Sequence, residues 1–480
     1  MGTEATGMTS SDDMTPWLKA AARALKGGSP ETLARSTFEG VTIEPLYGPA
    51  SAPARAGALA RAGAEPGWDV RAEIAASDPL AANRLALEAL AGGCTSLLLH
   101  LGGPGLRSRE DLMQALDGVV LEAAPVALEA GLLGPLAADW LAEAAKDAPS
   151  ARLAFHLDPL GAFAAAGESP GPIEAHLAKA ASIAAGLAGT YPEASLFLAS
   201  GRVVHEAGGS AAQELGVTAA AALAYAKALS GAGLSTAEAF GRIVLGVSAD
   251  ADYLISIARL RAVREIWARM TAACGEEVPA RIEVRSSRGM LTAADPWTNL
   301  LRLTVAGFAG AAGGADALVL GAFTDALGPP GARARRLARN TQLILMDESG
   351  LGRVEDPAAG AFAFEALTDQ LARQGWSFFQ AIEAAGGLAA ALASGLIARE
   401  VEEVRKARGL AVAEDRTPIL GVTRYPDPAP VTVELEEGAL AGSVDELPGV
   451  RLPGPDGRCP PLLPTRLSET AELVAEDLTP

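Results

Sequence analysis

Cysteine is nearly absent. Cys94, Cys274 and Cys459 stand far apart in 480 positions, and no CxxC pair occurs. An odd, scattered set builds no disulfide framework and suits a reducing compartment. Histidine is almost as scarce, with four residues and neither an HxH nor an HExxH pattern. A zinc site is therefore not expected. Aromatic residues make up only 5% of the chain. Long apolar runs are missing too. The stretch 303–315, bounded by Arg302 and Asp316, falls short of the roughly 20 residues that span a bilayer. The first sixteen residues, MGTEATGMTSSDDMTP, lack the basic start and apolar core of a signal or transit peptide. A soluble, cytoplasmic protein is expected. Positive charge is also in short supply. With 39 basic against 58 acidic residues the net charge is −19, which points away from nucleic acid and from anionic membranes as partners.

What is abundant is small and apolar. Hydrophobic residues are 49% of the chain, enough for a large core plus an appendage. WLKAAARALK (17–26) reads as a short amphipathic helix, and EGVTIEPLYG (39–48) reads as extended. From residue 69, β-prone runs alternate with long Ala/Leu-rich stretches. The runs are 69–75, 95–100, 125–130, 152–158, 195–200, 242–248, 281–287 and 316–321. Several are almost continuously apolar, as strands buried on both faces must be. Between 251 and 270, Tyr253, Ile257, Leu260, Val263, Trp267 and Met270 recur at helical spacing, which turns Arg259, Arg261 and Glu265 to another side.

Alternating strands and helices form parallel βαβ units. Eight of them across 69–321 match the ~250 residues of a (β/α)8 TIM barrel. A doubly wound nucleotide-binding sheet is disfavoured, because ASDPLAANR follows the first run where a GxGxxG turn would stand. Helices are expected over 332–349 and 364–410, broken at Asp356-Pro357. Residues 426–464 hold nine prolines and read as an extended linker or wrapping arm, with one short helix over 466–478. The chain thus divides into an N-terminal arm (1–68), a barrel with post-barrel helices (69–425) and a Pro-rich tail (426–480).

In a barrel of this kind chemistry sits at the C-terminal ends of the strands. His100 and His156 fall there, and His156-Leu157-Asp158 offers a base with an orienting carboxylate. Their bland reading is that of satisfied polar groups at the mouth. His176, in AHLAKA, reads as structural or solvated. Gly102-Gly103 either cradles a phosphate or, more simply, makes a tight turn, as do Gly208-Gly209 and Gly313-Gly314. Asp295 with Pro296 reads as a helix start rather than an acid catalyst. Arg333, Arg335, Arg336 and Arg339 read as a solvated helix face.

A denser set of patterns lies at 285–387. RSSRGMLTAADPWTNLLR, ARRLARNTQLILMDESGLGRVEDPAAG, EALT and AIEAAGG follow one another, flanked by LRAVREIWARM (260–270) and ILGVTRYP (419–426). These motifs closely resemble the methylmalonyl-CoA mutase family, over roughly residues 17–426. The resemblance implies a substrate lying along the axis of a TIM barrel. It implies interconversion of methylmalonyl-CoA and succinyl-CoA by radicals from adenosylcobalamin, which is held on a separate flavodoxin-like domain by a DxHxxG histidine. Catalytic members read SGYHxxEAG after the fifth strand. Here Ser200-Gly201 leads to Arg202 in place of Tyr and Val203 in place of His, with His205 two places late. Glu73 stands where PWTIRQY ends in Tyr, and Val319 where SLHTN carries His. The residues two places before the four histidines are Leu98, Ala154, Glu174 and Val203, so DxHxxG is absent. The 54 residues after Pro426 are too few for a complete cobalamin-binding domain.

The pattern resembles the small (β) subunit of heterodimeric members of the family. That implies no catalytic residues and no cofactor or metal on this chain, with adenosylcobalamin reaching the complex through a large (α) subunit. Arm and tail are the candidates for wrapping that partner. Two rivals remain. One is a stand-alone barrel enzyme using His100, His156 and Arg202 on an acidic or CoA-linked substrate. The other is a homodimeric scaffold or chaperone-like protein for the mutase.

Overall fold

A computed structural model describes residues 14–51, 59, 61–62, 67–103, 105–429, 432–436, 452 and 454–477. All eight runs are strands of one closed parallel barrel. They are β1 (Asp69–Ile74), β2 (Ser96–His100), β3 (Val126–Glu129), β4 (Ala154–Leu157), β5 (Ser195–Ser200), β6 (Ile243–Ala249), β7 (Ile282–Ser286) and β8 (Ala317–Val319). Each pairs with its sequence neighbour, and β8 closes the ring on β1 through Ala317↔Asp69 and Leu318↔Val70. β2, β5, β6 and β7 are buried at every position. Their continuous apolar runs follow from this, since helices cover one face and the barrel interior the other.

Small residues let the outer layer come close. Helix α1 (Ala211–Gly231) is sandwiched between the barrel and a second-layer helix, α3 (Phe362–Ala384). A Cβ at Gly216 would lie 2.7 Å from the Phe378 ring, and one at Gly375 would lie 2.8 Å from Leu215. Larger residues would force α1 and α3 apart.

Helix α2 (Tyr253–Ala273) corrects the amphipathic reading. Arg259 and Arg261 are each 1% exposed, whereas Tyr253 is 43% exposed. The helix is covered on two sides, by the barrel and by α3, so its charged side is interior as well. Buried guanidiniums persist only when paired. Arg259 meets Glu214 at 3.1 Å and Asp250 at 3.2 Å. Arg261 bridges Asp356 and, at 2.6 Å, Glu365. The DPAAG motif and the EALT helix are thereby pinned to LRAVREIWARM.

The DPWTNLLR segment is a second latch. Asn299 donates to the carbonyls of Thr292 and Phe323 at 2.9 and 3.0 Å, and Arg302 donates to Leu420 O at 2.7 Å. Asp295 accepts from Thr298 N, but the helix begins only at Asn299, because Pro296 first starts a turn. The expected 364–410 helix is three: α3, Leu388–Ala393 and Leu396–Ala413. Gly386, Gly387 and Gly395 take positive φ between them. Arg333 lies over the Trp297 ring and Arg335 pairs with Glu436 at 2.7 Å, so that cluster is only partly a solvated face.

At the N-terminal side, a helix spans Thr15–Ala24, and Arg35–Ser36 pairs with Thr42–Ile43. Most of 52–66 and of 437–451 lies outside the described residues. The described tail does not extend away from the barrel. Pro455–Arg458 pairs antiparallel with Glu168–Pro170. Leu462 N, Thr465 N and Leu467 N then donate to Ala164 O, Glu206 O and Gly289 O at 2.8 to 2.9 Å. The segment passes over the loops after β4, β5 and β7 and ends in a helix at Glu469–Asp477. Among the described residues no helix is long and apolar enough to cross a membrane.

Candidate functional site

The C-terminal ends of the strands surround a cavity of about 790 Å³, partly roofed by Leu462, Leu463 and Pro464 of the tail. Glu73, His100, His156, Arg202, Val203 and Val319 all line it. Strand ends and strand-to-helix turns deliver them together, as the pattern of runs requires. His176 and His205 lie elsewhere. His176 is buried within the helix Ile173–Ala188.

His205 sits in the short helix Arg202–Glu206, with Nε2 2.8 Å from Ser287 Oγ. Arg259 donates to its Nδ1 at 3.4 Å. A guanidinium can only donate, so the imidazole proton sits on Nε2. Burial, then Arg259, holds His205 far below the usual histidine pKa. Glu214 lies 3.6 Å from Nδ1, giving a superficial Ser-His-Glu array. Nucleophilic catalysis needs the opposite tautomer and an accessible serine. Ser287 is 2% exposed and does not line the cavity.

His156 and Asp158 do not form a base with its orienter. His156 has φ +48°, uncommon for a residue with a Cβ, and the β4–β5 register shifts between Ala154 and Leu157. The two side chains are redirected. Asp158 caps the helix Pro159–Ala166, accepting from Gly161 N at 3.0 Å and from the Tyr225 hydroxyl. The carboxylate nearest His156 is Glu283, at 3.7 Å. Burial pushes His156 down to about 4 despite Glu283. Gly102 and Gly103 both take positive φ, and Gly102 N donates to Leu106 O; they make the turn.

The floor of the cavity is ionic. Arg285 on β7 donates to Glu129 on β3 at 2.6 Å. Those strands are four apart in a ring of eight, so the pair crosses the barrel. Glu283 accepts from Arg285 Nε at 2.7 Å and from Arg71. Glu73 meets His100 Nε2 at 2.8 Å and Arg288 at 3.3 Å. Leu98, Ala127, Ala154 and Val319 form a small apolar cluster of their own. Burial would raise Glu73 and Glu283, but Arg288 and His100 for the first, and Arg285, His156 and Arg71 for the second, hold both well below the usual range. Sequence reading missed Glu129, Glu283 and Arg285. A signal existed: Glu283 and Arg285 alternate with Ile282 and Val284. In a strand covered by helices outside, such a period-two charge row runs along the interior.

Burial shifts four carboxyls the other way, Glu206 and Glu214 among them. Burial pushes Asp158 up to about 7 and Asp325 up to about 6, against the hydrogen bonds each accepts. A raised folded-state pKa gives stability that is present below the unfolded value near 4 and is lost as pH rises through the folded one. Asp158→Asn keeps the acceptor oxygen and removes the charge. The variant should therefore gain on the parent by at least about 1 kcal/mol between pH 5 and pH 8.5 in denaturant titrations. An offset that is the same at both pH values would contradict this.

Among the described residues no group of three or more His, Cys, Asp or Glu side chains could hold a metal ion. The cavity offers fixed charge, a neutral imidazole and carboxyls titrating near neutrality, which serve binding and proton holding. The family model described as methylmalonyl-CoA mutase matches residues 98–439. The chain is similar to the methylmalonyl-CoA mutase small subunit of Streptomyces virginiae, 40% identical over 88% of this chain and 70% of the relative. It is 38% identical to a probable methylmalonyl-CoA mutase small subunit of Mycobacterium tuberculosis, over 75% of this chain and 59% of that one. The small subunit of Propionibacterium freudenreichii subsp. shermanii is 32% identical, over 81% and 63%. The chain thus spans between 59% and 70% of the length of these relatives.

Proposed function

Because the chain belongs to the methylmalonyl-CoA mutase family, we propose that it is the non-catalytic small subunit of an adenosylcobalamin-dependent mutase. In this reading it supports assembly and stability of a large subunit that holds the corrin and isomerises methylmalonyl-CoA and succinyl-CoA in the cytoplasm. The observation that carries the reading is the Arg285–Glu129 pair across the barrel. An acyl-CoA lying along the axis, as in catalytic relatives, would have to displace it. Around the same mouth stand Glu73, Arg202, Val203 and Val319. A valine donates no hydrogen bond to a thioester carbonyl, so the electrostatic help that such chemistry needs is missing.

The chain's own residues do not suit a corrin. His100, His156, His176 and His205 are 4, 7, 8 and 5% exposed, and none offers an imidazole to a cobalt above the mouth. In this reading the chain divides into arm (1–68), barrel with its helices (69–425) and tail (426–480). Partner contact falls to the barrel flanks and the N-terminal arm, because residues 454–477 already bind this chain's own mouth.

The test is co-expression with the cognate large subunit, followed by gel filtration and turnover assays. A stable heterodimer is expected, with an interface of at least about 2,000 Å², and activity that requires the large subunit. Arg202→Tyr with Val203→His should leave the isolated chain inactive with added adenosylcobalamin. Absence of a complex at micromolar concentration, or turnover by the single chain, would defeat the proposal. A homodimer that ignores the large subunit would favour the scaffold reading.

A further inference from the structure

The mouth cavity has an imbalance of donors and acceptors that the subunit role does not account for. Apart from the exposed Glu168, its carboxylates have partners. Glu73 has His100 and Arg288, Glu129 has Arg285, Asp158 has Tyr225, Glu206 accepts from Gly289 N, and Asp325 accepts from Ala322 N. Some of its donors do not. Arg202 Nε and Arg285 Nη2 are buried without a hydrogen-bond partner among the described residues, as are both ring nitrogens of His156, one of which carries the single N–H of the neutral imidazole. Arg285 and His156 are 5 and 7% exposed and both line the cavity. Arg202 forms no ion pair within 4 Å among the described residues. Glu206 and Glu129 attract it only from farther away, while burial and the neighbouring Arg285 cation disfavour its charge. Arg285 is near enough to disfavour the charge on Arg202, and each keeps an N–H without an acceptor, which calls for a ligand carrying negative charge.

The walls specify the rest of that ligand. Leu128, Leu132, Ala162, Leu198, Val203 and Leu291 face the same space. A volume of about 790 Å³ is within the range of small-molecule pockets. The Arg285–Glu129 pair shuts the axis below, so no long thioester arm passes through. We propose that this cavity is a binding site for a free, medium-chain aliphatic carboxylate, its head group on Arg202, Arg285 Nη2 and His156 and its hydrocarbon against the leucine wall. The planar fork of a guanidinium suits a carboxylate. Hydrophobic burial of the chain adds affinity. The site is independent of whether the chain pairs with a large subunit.

Calorimetric titration of the full-length chain with hexanoate tests it. Saturable binding is expected. Hexanamide, an uncharged isostere, should bind at least about tenfold more weakly, because the charge-assisted bonds are lost. Inorganic phosphate, which lacks a hydrocarbon tail, should also bind at least about tenfold more weakly. Arg202→Gln should weaken hexanoate by about tenfold or more while leaving the ligand-free melting temperature near that of the parent. Should that variant fail to fold, the hexanoate–hexanamide comparison on the parent decides alone. No binding at ~10 mM hexanoate, a Kd range already weaker than specific sites show, would mean that water fills the cavity. Equal binding of acid and amide, or undiminished binding by folded Arg202→Gln, would equally overturn the site. Phosphate binding as tightly as hexanoate would overturn its apolar half.

Discussion

Arg261→Ala should lower the unfolding free energy by about 3–5 kcal/mol. The guanidinium neutralises Asp356 and Glu365 where all three side chains are at most 8% exposed. Removing one member of a buried ion set strands the others in a low-dielectric interior, and that costs more than the pair itself contributes. Arg261→Lys should recover only part of the loss, since an ammonium does not present a planar fork to two carboxylates. Urea unfolding followed by tryptophan fluorescence measures both. A loss below about 1 kcal/mol, the value of an exposed pair, would show that the motif-to-motif latch does not hold the outer helices to the barrel.

Arg285→Ala is expected to cost a similar amount, because Glu129 loses its partner and Glu283 keeps only Arg71 and His156 against its charge. Glu129→Gln in the same chain should return part of it, with a coupling energy of about 1–3 kcal/mol in a double-mutant cycle. The pH dependence has a defined sign. Glu73 and Glu283 have depressed folded-state pKa values, with Arg285 among the causes. Their contribution is present above the unfolded carboxylate range and is lost as pH falls below it. The parent should therefore lose stability below about pH 4, and Arg285→Ala should lose less over the same interval. Strict additivity in the cycle, or identical acid limbs, would show that the bridge is not a fixed feature of the barrel.

The barrel was legible because its strands announce themselves. Runs such as TSLLLH and RIVLGVS carry no solvent face, and the turns between them are marked by glycine and by caps such as Asp78 and Asp252. The mouth residues were legible as positions, since strand ends in a parallel barrel converge on one face. Their partners were not. Nothing local in VALEA tells that Glu129 reaches a strand on the opposite side, because the pairing is fixed only when the ring closes. Arg259 and Arg261 misled for a related reason. Helical periodicity finds one apolar stripe and assigns the remainder to water, but α2 is covered on two sides. His156 and Asp158, two residues apart, looked like a pair only as long as β4 kept its alternation. The tail gave little signal, since prolines forecast an extended backbone without naming the surface that receives it.

The ion pair across the barrel also has a mechanical meaning. Staves on opposite sides of the cylinder are tied near the mouth, and widening it for a long molecule would first have to break that tie. An interior held in this way acts as a brace. Any protein leaning on this chain would find an anvil rather than a hinge.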